Sequence, residues 1–312
     1  MASPCSAFRY NFIMKQLALI GSTASGKSDL ALQLAQKHHG LILSIDSLSI
    51  YKEINIASAK PAPEELAKIP HYGIDRLPPD HNANVMTFID EYKRIYAQAL
   101  KEDKNIIIVG GSSFYLKSML EGLSEIPVFS DETLHKAQSM LHDLSECYGL
   151  LCAVDPEGMA KISSADPYRI EKMLLIYLQT QSAPSEWFRN HPPKPIISDC
   201  PVLLLEVERS LLRERIALRT RKMITSGLID EVAELERLYG RAPNSMKAIG
   251  IIETLEYLDG KIDKNSLTDL ISTHTAQLAK RQQTFNLHQF DLYARGSARE
   301  LEEYIDAILQ QP

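Results

Sequence analysis

The eight residues Gly21-Ser22-Thr23-Ala24-Ser25-Gly26-Lys27-Ser28 fit the pattern G-x-x-x-x-G-K-[ST], whose chemistry is the holding of phosphate oxygens. Gly21 and Gly26 allow the backbone to curl so that successive N–H groups point inward at an anion. A helix beginning near Lys27 adds the positive end of its dipole. Lys27 supplies a point charge, and the Ser28 hydroxyl suits a Mg2+ ligand. The loop is silent on which phosphate compound it holds. Enzymes that move the terminal phosphate of a nucleotide commonly place an aspartate at the end of a later strand to hold the metal. Here the apolar run Ile106–Val109 ends in Gly110-Gly111-Ser112 and offers no acid. One carboxylate is well placed instead. Asp46 follows the apolar run Leu41–Ile45, where it is a general base, an acid behind a metal, or a helix cap.

Such residues need a rigid frame, and the chain has the pattern for one. Lys15–Ile20, Leu41–Ile45 and Asn105–Val109 are short apolar runs that end at Gly21, Asp46 and Gly110. Helical spacing fills Ser28–Lys37 and Met86–Leu100 between them. Continuous apolar strands alternating with helices describe a parallel sheet covered on both faces. Residues 131–180 show only helical patterns, and 190–201 carry four prolines. Pro201–Val207 reads as a further strand, with helices to about residue 287. The expected fold class is therefore α/β: a P-loop NTPase-like parallel sheet flanked by helices, with a helical insert domain. The expected boundaries are 14–126 and 197–290 for the core, 127–196 for the insert and 291–312 for a helical tail.

The bulk composition narrows the partners. With 312 residues and 24% charged residues the chain has ordinary globular character, and its formal net charge of −6 advertises no global field for nucleic acid. A nucleic-acid partner would need a local basic face. One exists: residues 208–223 hold six basic and two acidic residues, with Arg215, Arg219 and Lys222 at helical spacing, although a solvated helix face has the same look. Cys5, Cys147, Cys152 and Cys200 match no zinc ribbon and no CxxC pair, which fits a reducing compartment. No apolar run reaches 18 residues, so no membrane span is expected. The first thirteen residues read as a loose extension without a signal-peptide core. A cytoplasmic monomer is the expectation.

Further motifs carry a resemblance. Ser44-Ile-Asp-Ser-Leu-Ser-Ile-Tyr51 and Ile56-Ala-Ser-Ala-Lys60-Pro61 are similar to the D-S-x-Q-x-Y and I-G-T-A-K-P blocks of the bacterial tRNA dimethylallyltransferase (tRNA isopentenyltransferase) family. Pro70-His71, Gly110-Gly111-Ser112 with Tyr115, Asp166-Pro-Tyr-Arg169, Arg215-Ile with Arg219 and Met223, and Gly227-Leu228 with Glu231-Val232 follow in the family's order. Ala248-Ile-Gly250 with Glu253 and Ala279-Lys-Arg-Gln282 with Thr284 complete the series, which spans about residues 17–290. Singly these blocks are weak; their order and spacing are specific.

The resemblance implies transfer of a dimethylallyl group from dimethylallyl diphosphate to N6 of the adenosine at tRNA position 37, in the anticodon stem-loop. It implies that the loop and Mg2+ hold the departing diphosphate, with Arg215 and Arg219 near it, and that Asp46 is the base. Asp46-Ser47-Leu48-Ser49, Ser112, Tyr168-Arg169 with Lys172, and Lys280-Arg281-Gln282 resemble tRNA-contacting segments. Thr23 either hydrogen-bonds the base or a phosphate oxygen, or stabilises the loop. Ser112 either contacts base or ribose, or follows two glycines that merely turn the chain.

Departures from the family pattern fall on the tRNA grip. Leu134, Ala276 and Leu287 stand where arginines are usual, Phe285 replaces a tryptophan, and Ile251 takes a tyrosine position. Two other readings stay open. A P-loop small-molecule or nucleoside kinase explains the loop, Asp46 and the paired glycines, but not the basic patches. A non-catalytic RNA-binding or nucleotide-switch protein would bind without chemistry.

Overall fold

A computed structural model describes residues 14–310; the N-terminal extension with Cys5, and residues 311–312, lie outside the described residues. The chain divides into two compact units, one formed by residues 1–117 and 197–312 and the other by 118–196.

In the first unit the order begins β1 (Gln16–Gly21), α1 (Lys27–Lys37), β2 (Gly40–Ser44), α2 (Pro63–Leu66), β3 (His71–Tyr72), α3 (Val85–Glu102) and β4 (Asn105–Gly110). α4 (Ser113–Glu121) contains the boundary between units. The strands pair in the order β3-β2-β4-β1 on one side, and every pair is parallel. β1 and β4 are buried along their whole length. That burial follows from sequences such as Asn-Ile-Ile-Ile-Val-Gly, which carry apolar side chains to both faces. Leu17 and Leu19 of β1 join Leu30, Leu34 and Ala35 of α1 in one cluster. α3 buries Phe88, Ile89, Tyr92 and Ile95, which follow its 3.6-residue period. β1 occupies the centre because the chain leaves it in both directions, and ligands bind at such a switch point outside the carboxyl ends of the strands.

The second unit is helical: α5 (Asp131–Met140), α6 (Leu144–Val154), α7 (Pro156–Met159), α8 (Pro167–Thr180) and α9 (Pro184–Asn190). Ala137, Cys147, Leu151, Met159, Ile170, Leu174 and Leu175 form its core. It begins nine residues before the expected Pro127 boundary, at Ser118. The reason is a strap that Pro127 obscures. Ile196 donates its N–H to the Met119 carbonyl at 2.8 Å, and Leu123 pairs with Lys194. Gly122, at φ +87°, lies so close to Lys194 that a Cβ there would meet its carbonyl carbon at 2.2 Å.

The chain then returns to the sheet through β5 (Val202–Leu205), followed by α10 (Arg209–Thr225), α11 (Leu228–Tyr239), a 3-10 turn (Asn244–Lys247), α12 (Ile251–Leu258) and α13 (Lys264–Gln289). The last segment differs from the helical tail expected for 291–312. β6 (Ala294–Gly296) adds a parallel edge strand beside β5, and α14 (Ala298–Leu309) sends Leu301, Ile305 and Leu309 into the β1–α1 cluster. Three residues reading Ala-Arg-Gly carry no apolar alternation, so neither β6 nor the two-residue β3 is visible as a period.

Asp155 holds the second unit together at one buried point. Its carboxylate accepts hydrogen bonds from Gly158 N at 2.9 Å and from Ser185 N and Oγ, both at 2.7 Å. Burial opposes its ionisation, but the Ser185 and Gly158 hydrogen bonds outweigh this and hold the carboxyl below its ordinary value. Asp155→Ala should therefore cost about 1–3 kcal/mol. The loss is measurable by denaturation followed through Trp187 of α9, the sole tryptophan. A lowered folded pKa makes this contribution full above pH ~4, and it disappears as pH falls through the folded value. The wild-type advantage should shrink accordingly in acid.

Candidate active site

β1 ends at Gly21, and the loop that follows is wound by two left-handed residues, Ala24 at φ 62° and Gly26 at φ 90°. α1 opens at Gly26 with no side-chain cap. Its first amides are therefore left open to an anion. Lys27 Nζ donates to the Ser22 carbonyl at 3.2 Å. Burial lowers the Lys27 pKa to about 8, partly offset by attraction to Asp46, while Arg219 lowers it further. Ser28 is exposed on the wall of a cavity of about 860 Å3 that Ala24, Ser25, Gly26, Lys27, Arg215 and Arg219 also line.

Asp46 stands past the end of β2, and its two oxygens differ. Oδ1 accepts the N–H groups of Leu48 at 2.9 Å and Ser49 at 3.0 Å, which is a loop cap. Oδ2 receives no hydrogen bond from the described residues. One carboxylate therefore serves the local turn and keeps an oxygen for other work. Ile45 is held against β4, where its N–H donates to the Val109 carbonyl at 2.8 Å. A Cβ on Gly110 would meet the Ile45 carbonyl oxygen at 2.5 Å, so this glycine sets the approach of the strand that carries Asp46. The Ser112 hydroxyl accepts the Ser47 N–H at 3.0 Å. Ser49 is buried, with its hydroxyl 3.4 Å from that of Ser44, whereas Ser47 is exposed.

Two helices close the site. On α10, Arg215 donates to the Ser25 carbonyl at 2.9 Å, and one turn later Arg219 lies 3.5 Å from both Thr23 Oγ1 and the Ser58 carbonyl. Burial lowers the Arg219 pKa, and the neighbouring Asp46 opposes the shift. On α13, Gln282 uses both ends of its amide. Its Oε1 accepts the Thr23 N–H at 2.7 Å, and its Nε2 donates to the Gly111 carbonyl at 3.0 Å. A Cβ on Gly111 would sit 2.6 Å from that Nε2. Gln282 thus ties the phosphate loop to the end of β4, and Gly111 is the gap it fills.

A second cavity, of about 600 Å3, opens on the other side of Lys27 and Arg219, which line both. Thr23, Asp46, Ser47, Leu48, Ser112, Arg281 and Gln282 share its wall with Phe114, Tyr115, Ile216, Met223, Ile249 and Phe285. Tyr115 stacks on Phe88 with ring centroids 4.5 Å apart. The arrangement is a polar chamber, lined by Lys27, Arg215, Arg219 and Arg299 but also by Asp29, Glu206 and Glu208, joined across Lys27 and Arg219 to a largely apolar one that Asp46 lines.

Not every residue singled out in the sequence meets here. Lys222 is exposed on α10 and lines neither cavity, and Lys280 is likewise exposed without touching them. Tyr168, Arg169 and Lys172 belong to the second unit, on the first turns of α8, where Lys172 Nζ lies 5.6 Å from the Tyr168 ring centroid. Some residues were legible in the sequence only as members of a block, without a role. Glu231 of α11 accepts the N–H groups of Asn55, Ile56 and Ala57 at 2.8–3.1 Å and so fixes the loop that brings Ser58 to Arg219. Ile216 and Ile249 lay within recognised blocks and Phe285 stood where the family has tryptophan, but none of them signalled a cavity wall, and the buried Asn286 gave no signal of its own.

The IPP transferase family model matches residues 49–289. The chain is 53% identical over 296 residues to a tRNA dimethylallyltransferase of Sulfurimonas denitrificans, covering 95% of this chain and 100% of that one. It is 52% identical to a tRNA dimethylallyltransferase of a Sulfurovum species, covering 94% and 97%. Among solved structures, a eukaryotic dimethylallyltransferase acting on tRNA superposes with a TM-score of 0.81 at 26% identity, over 95% of this chain and 76% of that one. The tRNA isopentenylpyrophosphate transferase of Bacillus halodurans gives 0.69 at 25% identity, over 95% and 97%. With the family model spanning most of the chain and relatives above half identity spanning nearly all of it, this chain belongs to the IPP transferase family.

Proposed function

We propose that this protein transfers a dimethylallyl group from dimethylallyl diphosphate to N6 of the adenosine at tRNA position 37, releasing diphosphate. The observation that carries the reading is the junction of the two cavities. Lys27 and Arg219 face both, and the open oxygen of Asp46 lies within their electrostatic reach. The diphosphate is held by the loop amides, Lys27 and Arg219, with Arg215 bracing the loop through Ser25. The hydrocarbon lies toward the apolar chamber. The bond from the allylic carbon to the diphosphate oxygen breaks, and its electron pair leaves with the diphosphate. The N6 lone pair forms the new C–N bond, and the N6 proton passes to Asp46. Preformed donors at the leaving group and a base at the nucleophile divide the catalytic task. The names of the relatives favour this reading over a kinase.

The donor set fits a metal that arrives with the diphosphate rather than a resident one. Among the described residues no group of three or more His, Cys, Asp or Glu side chains could hold an ion, yet the Ser28 hydroxyl is exposed in the phosphate chamber. Ser28 would hold Mg2+ beside the phosphate oxygens, where the ion supplies charge neutralisation. The target adenine must leave its stack, at a cost of about a few kcal/mol, which contacts to the RNA backbone offset. We assign Arg281, at the cavity mouth, and Lys280, Tyr168, Arg169 and Lys172 to those contacts. No described helix is long and apolar enough to cross a membrane, and we place the protein, as a monomer, with its tRNA in the cytoplasm.

Three outcomes are expected. Asp46→Ala should lower turnover by about 10²–10⁴, measured as diphosphate release with an anticodon stem-loop, while RNA affinity changes little; turnover within threefold of wild type contradicts the base assignment. Lys27, with a pKa of about 8, is charged below that pH and neutral above it. Affinity for dimethylallyl diphosphate should therefore fall as pH rises through 8, and Lys27→Met should abolish the dependence in calorimetric titrations. Arg281→Ala and Arg169→Ala should each weaken tRNA binding and reduce the slope of log K against log salt by about one. Unchanged slopes in both would remove these residues from the interface.

A further inference from the structure

The apolar chamber contains polar atoms that the chain itself does not satisfy. Asn286 is fully buried, and neither its Nδ2 nor its Oδ1 has a hydrogen-bond partner. Ser113, at 4% exposure, likewise has an unpartnered Oγ. Both residues line the 600 Å3 cavity. A buried amide or hydroxyl without a partner is destabilising, and native proteins leave few of them. Three such atoms, carried beneath the surface by two residues of one cavity wall, point to a ligand group that pairs with them.

The chemistry of the substrates narrows the choice, on the proposed reading of the site. A dimethylallyl group is hydrocarbon and can satisfy none of the three atoms. The diphosphate is served by the loop on the other side of Lys27. The acceptor base alone presents a donor beside an acceptor, its N6 amine next to a ring nitrogen, N1 or N7. An asparagine amide matches that pair with two parallel hydrogen bonds. Asn286 also has a rigid mount. It follows Gln282 by four residues on α13, so it shares that helix face, and Gln282 is fixed at both ends to Thr23 and Gly111.

We propose that Asn286, assisted by Ser113, is a specificity-determining residue that pairs with the N6 edge of the acceptor adenine and presents the amine to Asp46. Asn286 Oδ1 would accept one N6 hydrogen and Nδ2 would donate to the adjacent ring nitrogen, leaving the other N6 hydrogen for the carboxylate.

The test uses the full-length enzyme and three anticodon stem-loops that carry adenosine, 1-deazaadenosine or 7-deazaadenosine at the acceptor position. With wild type, one analogue should lose about tenfold or more in kcat/KM, and which one identifies the ring nitrogen. With Asn286→Leu, the adenosine RNA should react about tenfold or more slowly while that analogue suffers no further penalty, and thermal stability should be equal or higher because the unpaired amide is gone. Should Asn286→Leu fail to fold, Asn286→Ala replaces it and should likewise leave the analogue with no further penalty. If the penalty persists unchanged in the variant, or no analogue is penalised by wild type, the assignment is overturned. If wild type transfers nothing to the adenosine RNA, the functional reading itself falls, and this assignment with it.

Discussion

Two cations share one carboxylate at the centre of this protein. Lys27 and Arg219 are drawn out of bulk water, each with its pKa lowered by that burial, and Asp46 is the acid that opposes both shifts. Burying charge is costly unless it is paired, and here one positive charge exceeds the local pairing. An anion completes the balance, and the open amides at the start of α1 offer it a seat. That imbalance gives the phosphate loop its purpose without any hydrolytic apparatus.

The remaining structure keeps these charges in place. Glycine at 110 lets the strand bearing Asp46 approach β4 more closely than any side chain would allow. Gln282 spans from the phosphate loop to Gly111, and Glu231 fixes the loop whose Ser58 carbonyl meets Arg219. None of these three need touch a substrate. They convert a marginal arrangement of charge into a rigid one, and rigidity is what electrostatic preorganisation requires.

Much of this was legible in the residues, and the exceptions have physical causes. The phosphate loop and the strands β1, β2 and β4 declare themselves because continuous apolar runs ending in glycine or aspartate have few other solutions. β3 and β6 were hidden because two or three residues hold no period, and Pro127 looked like a boundary although the packing of Gly122 on Lys194 sets it earlier. At the site, the Gly21–Ser28 spacing and Asp46 were visible because local sequence defines them. Gln282 was visible only as part of a block, and the pairing of its amide with Thr23 and Gly111 is a long-range one that no local pattern encodes. At Asp46 one oxygen caps the turn, as one of its alternatives had it, and the other is open. Asn286 drew no attention because an asparagine within a helix is ordinarily solvated, and only its burial makes it unusual.

The most direct measurement is a crystal structure of the enzyme with a non-reacting thio-diphosphate analogue of dimethylallyl diphosphate and Mg2+. The two phosphates should lie against the backbone amides of residues 22–28 and within reach of Lys27 and Arg219, with the hydrocarbon directed into the chamber lined by Ile216 and Phe285. A diphosphate bound away from that loop, or a prenyl chain directed away from Asp46, would contradict the central claim.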